Sequence, residues 1–250
     1  MCFLNFILSL LPGILWMYYV YRSDKFEPEP IKTVIMVFFC GFVIFIPTML
    51  IEIGIKDLFG FTGRISSIFE AVGTAYFVTG LVEEFMKFGV VLFAVYYAKE
   101  FDEPVDGIVY SSAAALGFAS LENFMYMNQY GTQVILLRGP LSTLGHILFS
   151  SMWGYGLARG KNHPKIARRL AITGLLFAAL AHGTFNFILM SPIIFGYNIG
   201  MLIAFFTLPF TYGLWVLLRI RIKKSESISP YNPDAEEDDY NVFDDMNDIA

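Results

Sequence analysis

The chain has 250 residues, a formal net charge of −5, 56% hydrophobic and 17% aromatic residues, and a mean hydropathy of +0.58. Only 16% of its residues are charged, against about 25% in soluble domains. That excludes an ordinary soluble domain and predicts an all-α fold, a polytopic membrane helix bundle. The acidic balance is local: residues 225–250 hold nine of the 22 acids and no Lys or Arg, which leaves 17 bases against 13 acids elsewhere. Cys2 and Cys40 lie in apolar segments and suggest neither a disulfide framework nor a metal cluster.

Phe3 to Tyr21 is the first apolar run, with Pro12-Gly13 inside it. It has no basic leader before it and no small-residue cleavage site after it, so it is expected to remain as a helix. Arg22 to Pro30, RSDKFEPEP, reads as an extended loop. A second span runs from Ile31 to about Ile53, ending near Glu52, and Lys56 to Ser67 is a polar loop. The third runs from Ile68 to about Lys99, and Phe101 to Pro104 is a tight turn. The fourth covers Asp106 to Met127, and Asn128 to Gly139 is ambiguous. Pro140 suits the first position of a fifth span reaching Leu157. The basic loop Arg159 to Arg169 leads to a sixth span, Leu170 to Met190, which Ser191-Pro192 is expected to break. A seventh runs from Gly196 or Tyr197 to Leu218. Residues 1–222 therefore read as one integral membrane domain, and 223–250 as an acidic, disordered tail.

Seven spans put thirteen Lys and Arg on one side and three, Lys56, Arg64 and Arg138, on the other. The positive-inside rule then places the N-terminus outside and the C-terminus in the cytosol.

Four of these spans carry polar residues that the bilayer disfavours. The third holds LVEEFMK, with Glu83, Glu84 and Lys87. A charge at bilayer depth costs roughly 2.5–3.5 kcal/mol on insertion scales, so three in five residues need a reason. Glu83 and Lys87 are i,i+4 in the favourable order, while Glu84 is turned about 100° away. The bland alternative is that Glu83 and Lys87 neutralise each other while Glu84 faces water. The fourth span holds Glu122 and Asn123, the fifth His146 and Ser150, the sixth His182 and Asn186. At about 1.5 Å per residue, Glu83, Glu122, His146 and His182 lie roughly 18–24 Å from the basic ends of their helices, so one level gathers them. Each has a structural alternative. A lone membrane His often bonds helix to helix, and Ser150 and Asn186 can be polar glue. Gly117, Gly145, Gly154 and Gly183 are expected to let helices approach closely.

A carboxylate in such a place can act as a general base toward water. A nearby His and Asn can donate to a developing oxyanion. Alternatively two His and one or two Glu can hold a metal that activates water. No HExxH is present, so a metal site would be assembled from separate helices.

EExxK at Glu83, Glu84 and Lys87, FxxxE from Phe118 to Glu122 and HxxxN at His182 and Asn186 together resemble the PrsW family of intramembrane proteases, as does the RSDKFEPEP loop. The resemblance covers roughly Leu10 to Leu218. It implies a bacterial cytoplasmic-membrane endopeptidase that first cuts a membrane-anchored anti-sigma factor at its external side, with no nucleic-acid partner. The family is distantly similar to CAAX prenyl endopeptidases and bacteriocin-immunity-type membrane proteases, which carry EExxxR and FxxxH. This chain departs from those at Lys87 and Glu122. Carried over by position, Glu83 is the water-activating base, Glu84 its partner or a structural acid, and Lys87 the cation that keeps a carboxylate ionised. Glu122, His146 and His182 complete the water or metal site, Asn186 stabilises the oxyanion, and Ser150 and Asn123 support it. The family has been grouped with metallopeptidases, while the CAAX relatives suggest a metal-free route. An ammonium and three carboxylates make an unusual zinc shell, which favours the latter. The metal alternative is a divalent ion such as zinc on Glu83, Glu122, His146 and His182. Two other classes fit the same residues: a proton-coupled transporter, built on a Glu/His relay, and a non-catalytic seven-helix sensor or scaffold.

Overall fold

The computed structural model describes residues 2–61, 65–162 and 165–234, and every regular element among them is helical. Helix α1 is Cys2–Tyr21 and α2 is Ile31–Leu58. Residues 68–94 form α3, in which Ile68–Val72 and Val82–Ala94 are α-helical and the intervening Gly73–Leu81 is wound as a π-helix. Helix α4 is Pro104–Tyr130. Short turns over Thr132–Val134, Ile135–Leu137 and Arg138–Ser142 lead into α5, Thr143–Asn162. Then come α6, Ala167–Phe195, α7, Tyr197–Ala204, and α8, Thr207–Ser227.

Five stretches are long and apolar enough to cross a membrane: Cys2–Tyr21, Ile31–Leu58, Thr132–Lys161, Ala167–Phe195 and Tyr197–Ser227. The chain is thus a membrane helix bundle. Of the seven crossings expected from sequence, α3 and α4 fall outside this set. They carry the charged and small polar residues, which pack inward: Glu83, Glu84 and Lys87 on α3 and every residue from Pro104 to Ser120 on α4 are buried.

A helix buried all round sits at the centre of its bundle. Around α4 pack α1, α2 and α5, with α6 against α5 and against the π-helical part of α3. Glycines set two of these joints. A Cβ on Gly117 would run into the Phe38 carbonyl of α2, and one on Gly154 of α5 into the Gly107 carbonyl of α4. The packing role expected of Gly117, Gly154 and Gly183 matches their surroundings. A Cβ on Gly145 would meet side chains alone, Phe149 of its own helix at 3.2 Å and Phe185 of α6 at 3.8 Å.

Prolines account for two departures from the expected boundaries. Helix α6 runs through Pro192 to Phe195 instead of breaking at Ser191-Pro192. Pro192 cannot donate to the Ile188 carbonyl, and Ser191 Oγ lies 2.6 Å from that oxygen and can donate in its place. The expected seventh span is divided between α7 and α8. Pro209, in the first turn of α8, forbids a bond to the Phe205 carbonyl, and the chain turns there. Pro140 lies inside the Arg138–Ser142 turn, three residues before α5. Helix α2 reaches Leu58, so Glu52 lies within it and not at its end. Helix α8 continues five residues past 222, to Ser227, and Ile228 and Ser229 are buried. The tail beyond Asp234, His163 and Arg64 lie outside the described residues.

At the basic end the RSDKFEPEP loop closes onto α4. Asp24 accepts from the Glu29 amide at 3.1 Å, and Tyr110 donates to Glu29 at 2.6 Å. Asp106 accepts from the amides of Asp102 and Glu103, satisfying donors at the start of α4. Tyr231, beyond α8, donates to Asp102 at 2.8 Å.

Candidate active site

LVEEFMK occupies the first two turns of α3 after its π-helical stretch, a feature that recurs near functional sites. The wide turn is followed at once by Glu83 and Glu84, both buried, on the face toward α5 and α6. Lys87, fully buried, donates to three acceptors: Glu83 Oε2 at 2.9 Å, Glu84 Oε1 at 3.0 Å and His146 Nδ1 at 3.0 Å. The expected Glu83–Lys87 pair is therefore present, but it is not isolated, and Glu84 does not face water. Glu84 receives, besides Lys87, the Ser150 hydroxyl at 2.7 Å, the Trp153 indole at 3.0 Å and His182 Nδ1 at 3.0 Å. Four donors for one buried carboxylate offset much of the cost of burying its charge.

The two histidines are oriented by what faces them. A carboxylate only accepts, so His182 Nδ1 carries a proton toward Glu84, and its Nε2 lies 3.9 Å from Glu83 Oε2. An ammonium only donates, so His146 Nδ1 accepts from Lys87. His146 Nε2 then donates to Glu122 at 2.9 Å. Glu122 is gripped from its other side by Arg138 at 2.6 Å. Arg138 also bonds Asn123 at 2.9 Å and lies 3.8 Å over the Tyr126 ring. Asn123 in turn donates to Thr143 at 2.9 Å. Phe149 stacks on His182 with centroids 4.7 Å apart, and Phe118 lies 4.3 Å below Lys87 Nζ.

Above this cluster opens a cavity of about 580 Å³, of the size that ligand sites usually have. Glu83, Glu122, His146, His182 and Asn186 line its inner part, and Lys56, Tyr130 and Ile193, near the C-terminal ends of α2, α4 and α6, line the part opposite the basic loops. The structure thus gathers Glu83, Glu84, Lys87, Glu122, His146 and His182 into one network and puts Asn186 on the wall of the same cavity, one turn from His182. Ser150 and Asn123 sit behind it, each bonded to a member or to a residue that holds one.

Sequence reasoning missed Trp153, Arg138 and Glu52. Trp153 follows Ser150 by one turn on the same face, a spacing that could have revealed it. Arg138 fell in the ambiguous stretch after α4 and was counted only as an external base. Glu52 was read as the end of a span.

Glu83, His146 and His182 each offer a ligand atom, all within 4.8 Å of one another. Two imidazoles and one carboxylate are a common catalytic zinc set. Each imidazole has a carboxylate on its far nitrogen, the arrangement that orients metal-bound histidines. The donor chemistry therefore fits a divalent ion, which would take His146 Nδ1 from Lys87. Glu122, named with these three from sequence, stands behind His146 and outside this set.

Residues 29–214 match the model of the PrsW family, described as intramembrane metalloproteases. The chain belongs to this family. It is similar to Protease PrsW of Oceanobacillus iheyensis, 34% identical over 87% of this chain and 94% of that one. It also matches Protease PrsW of Geobacillus kaustophilus, 32% identical over 86% and 89% of the two chains, and of Bacillus subtilis, 30% identical over 88% and 95%. No solved structure gives a significant match. Membership makes the chain a membrane-embedded peptidase of the PrsW family, and the buried network is the natural candidate for its active site.

Proposed function

We propose that this peptidase hydrolyses a peptide bond of a membrane-anchored regulatory protein, with water activated at Glu83. The observation that carries the reading is the contrast between adjacent acids. Glu84 is saturated by four donors, whereas Glu83 is held by Lys87 alone and lines the cavity. Glu83 is then the carboxylate free to take a proton from water as the water oxygen attacks the carbonyl carbon, and to pass that proton to the departing amine. Lys87 holds it in place at 2.9 Å. Asn186, on the cavity wall one turn beyond His182, is the donor to the developing oxyanion. Arg138 and Glu122 hold the His146 ring in place. With a divalent metal such as zinc, Glu83, His146 and His182 would hold the ion, which would supply the acidity that makes water nucleophilic at neutral pH, and Glu83 would then act as a ligand and not as the base.

Lys87 favours a second reading of the same site. Its ammonium already bonds two of the three candidate ligands, Glu83 and His146, and as the resident cation it would leave Glu83 to act without metal. For the substrate, the family resemblance suggests an anti-sigma factor cut first at the external side. The cavity's opening away from the basic loops supports that, since the Lys and Arg bias puts those loops in the cytosol.

The test uses purified full-length protein and a panel of single-span membrane substrates, with and without a strong chelator. Loss of cleavage with chelator, restored by zinc, is expected of the metal site. Cleavage that persists supports the ammonium reading. His182→Ala should lower kcat at least 100-fold in either case, and a variant that cuts at the wild-type rate would remove His182 from the mechanism.

A further inference from the structure

Among the described residues, Glu52 is the carboxylate on the cavity wall that none of this chemistry uses. It sits in α2, lines the same cavity as Glu83, and its Oε1 is buried with no hydrogen-bond donor in reach among the described residues. The cations nearby are committed elsewhere: Lys87 to three acceptors, Arg138 to Glu122 and Asn123. Lys56, one turn on in the same helix, forms no ion pair with it among the described residues. A buried carboxylate oxygen that no protein group serves remains an acceptor to be satisfied. A ligand that brings a donor to it gains that much more on binding.

The position of Glu52 along the cavity can be read from the packing. Glu29, just before α2, meets Tyr110 of α4, and Phe45 meets Phe118, with ring centroids 5.1 Å apart. Residue numbers rise together, so α2 and α4 run the same way. Phe118 lies at the level of the reacting groups, under Lys87 and 5.9 Å from the His146 ring. Glu52 is seven residues beyond Phe45 and therefore about 10 Å further toward the cavity mouth. An extended peptide covers that distance in about three residues.

We propose that Glu52 is a specificity-determining residue that receives a Lys or Arg side chain of the substrate, about three residues from the bond that is cut. A cationic side chain supplies both the missing donor and the opposite charge. The proposal rests on the peptidase assignment and not on how water is activated.

The probe is a set of single-span peptides with one variable position, moved from one to five residues from the cut and filled with Lys, Arg, Gln, Leu or Glu. Wild type should prefer Lys or Arg over Gln by at least 10-fold in kcat/KM at one position near the third. Glu52→Gln should bring that ratio close to one, and Glu52→Lys should shift the preference to the Glu peptide. Binding of the same peptides to Glu83→Gln is measured in parallel. The same preference seen in binding without any cleavage by wild type would support Glu52 while sinking the peptidase reading. A wild-type protein indifferent to the variable position overturns the proposal. So does a Glu52→Gln variant that loses the same factor on every peptide, which would mark Glu52 as a contact to peptide backbone.

Discussion

Glu84 and Glu83 differ by one position and by their whole environment. The sequence showed two acids and a lysine at helical spacing, which is enough to see that one acid could pair. It could not show that Ser150, Trp153 and His182 converge on Glu84, because that depends on how α5 and α6 pack against α3. The account expects the two acids to fail differently. Glu84→Gln removes a buried charge that four donors serve, and breaking such a pairing costs about 3–5 kcal/mol. Thermal unfolding in detergent should therefore drop sharply for Glu84→Gln and little for Glu83→Gln. Trp153→Phe removes a single donor to a charged acceptor and should cost about 1.5–3 kcal/mol, read by the same unfolding measurement. Equal stability of all four proteins would mean that the network contributes nothing to the fold.

The helices were legible where apolar length alone decides them. Phe3–Tyr21 and the start at Ile31 match α1 and α2 within a residue. The misses are places where one side chain bears on the outcome, as where Ser191 Oγ lies within reach of both the Ile188 carbonyl that Pro192 abandons and the Gly200 carbonyl while α6 continues. The short turns from Thr132 to Ser142 were unreadable for a different reason: their place is set by contacts far off in sequence, Arg138 with Glu122 and Thr132 with Asn5. At this scale the close approach of α2 and α4 is the testable feature. Gly117→Leu would force a side chain against the Phe38 carbonyl. It should cost about 1–3 kcal/mol through overpacking and displace Phe45 and Glu52 relative to Phe118. Unfolding midpoints compared with Gly145→Ala, where no backbone lies near, provide the check, and equal midpoints would contradict the joint described here.

The whole molecule is a bundle with a polar centre and two unlike ends. The basic end carries buried acids in its loops: burial pushes Asp24 up to about 7 and Glu29 up to about 8. Folded-state values above the usual carboxylate range mean that the native state holds extra protons between about pH 4 and 8. Their stabilising effect is complete below about pH 4 and is lost as pH rises through 7 to 8. The unfolding midpoint in detergent should fall from pH 6 to pH 9, and Asp24→Asn should flatten that fall; an unchanged slope would show that these acids do not govern it. Nothing in the sequence announced this belt, since the RSDKFEPEP loop and the turn before α4 read as separate solvated connections. At the other end lies the cavity, with Glu83 on its inner wall. The most direct measurement is cleavage of a single-span membrane substrate by purified wild type and Glu83→Gln side by side, with intact insertion and folding of both established first. The account predicts cleavage by the wild type and none by the variant; a Glu83→Gln protein that cuts at the wild-type rate would contradict the central role given to this carboxylate.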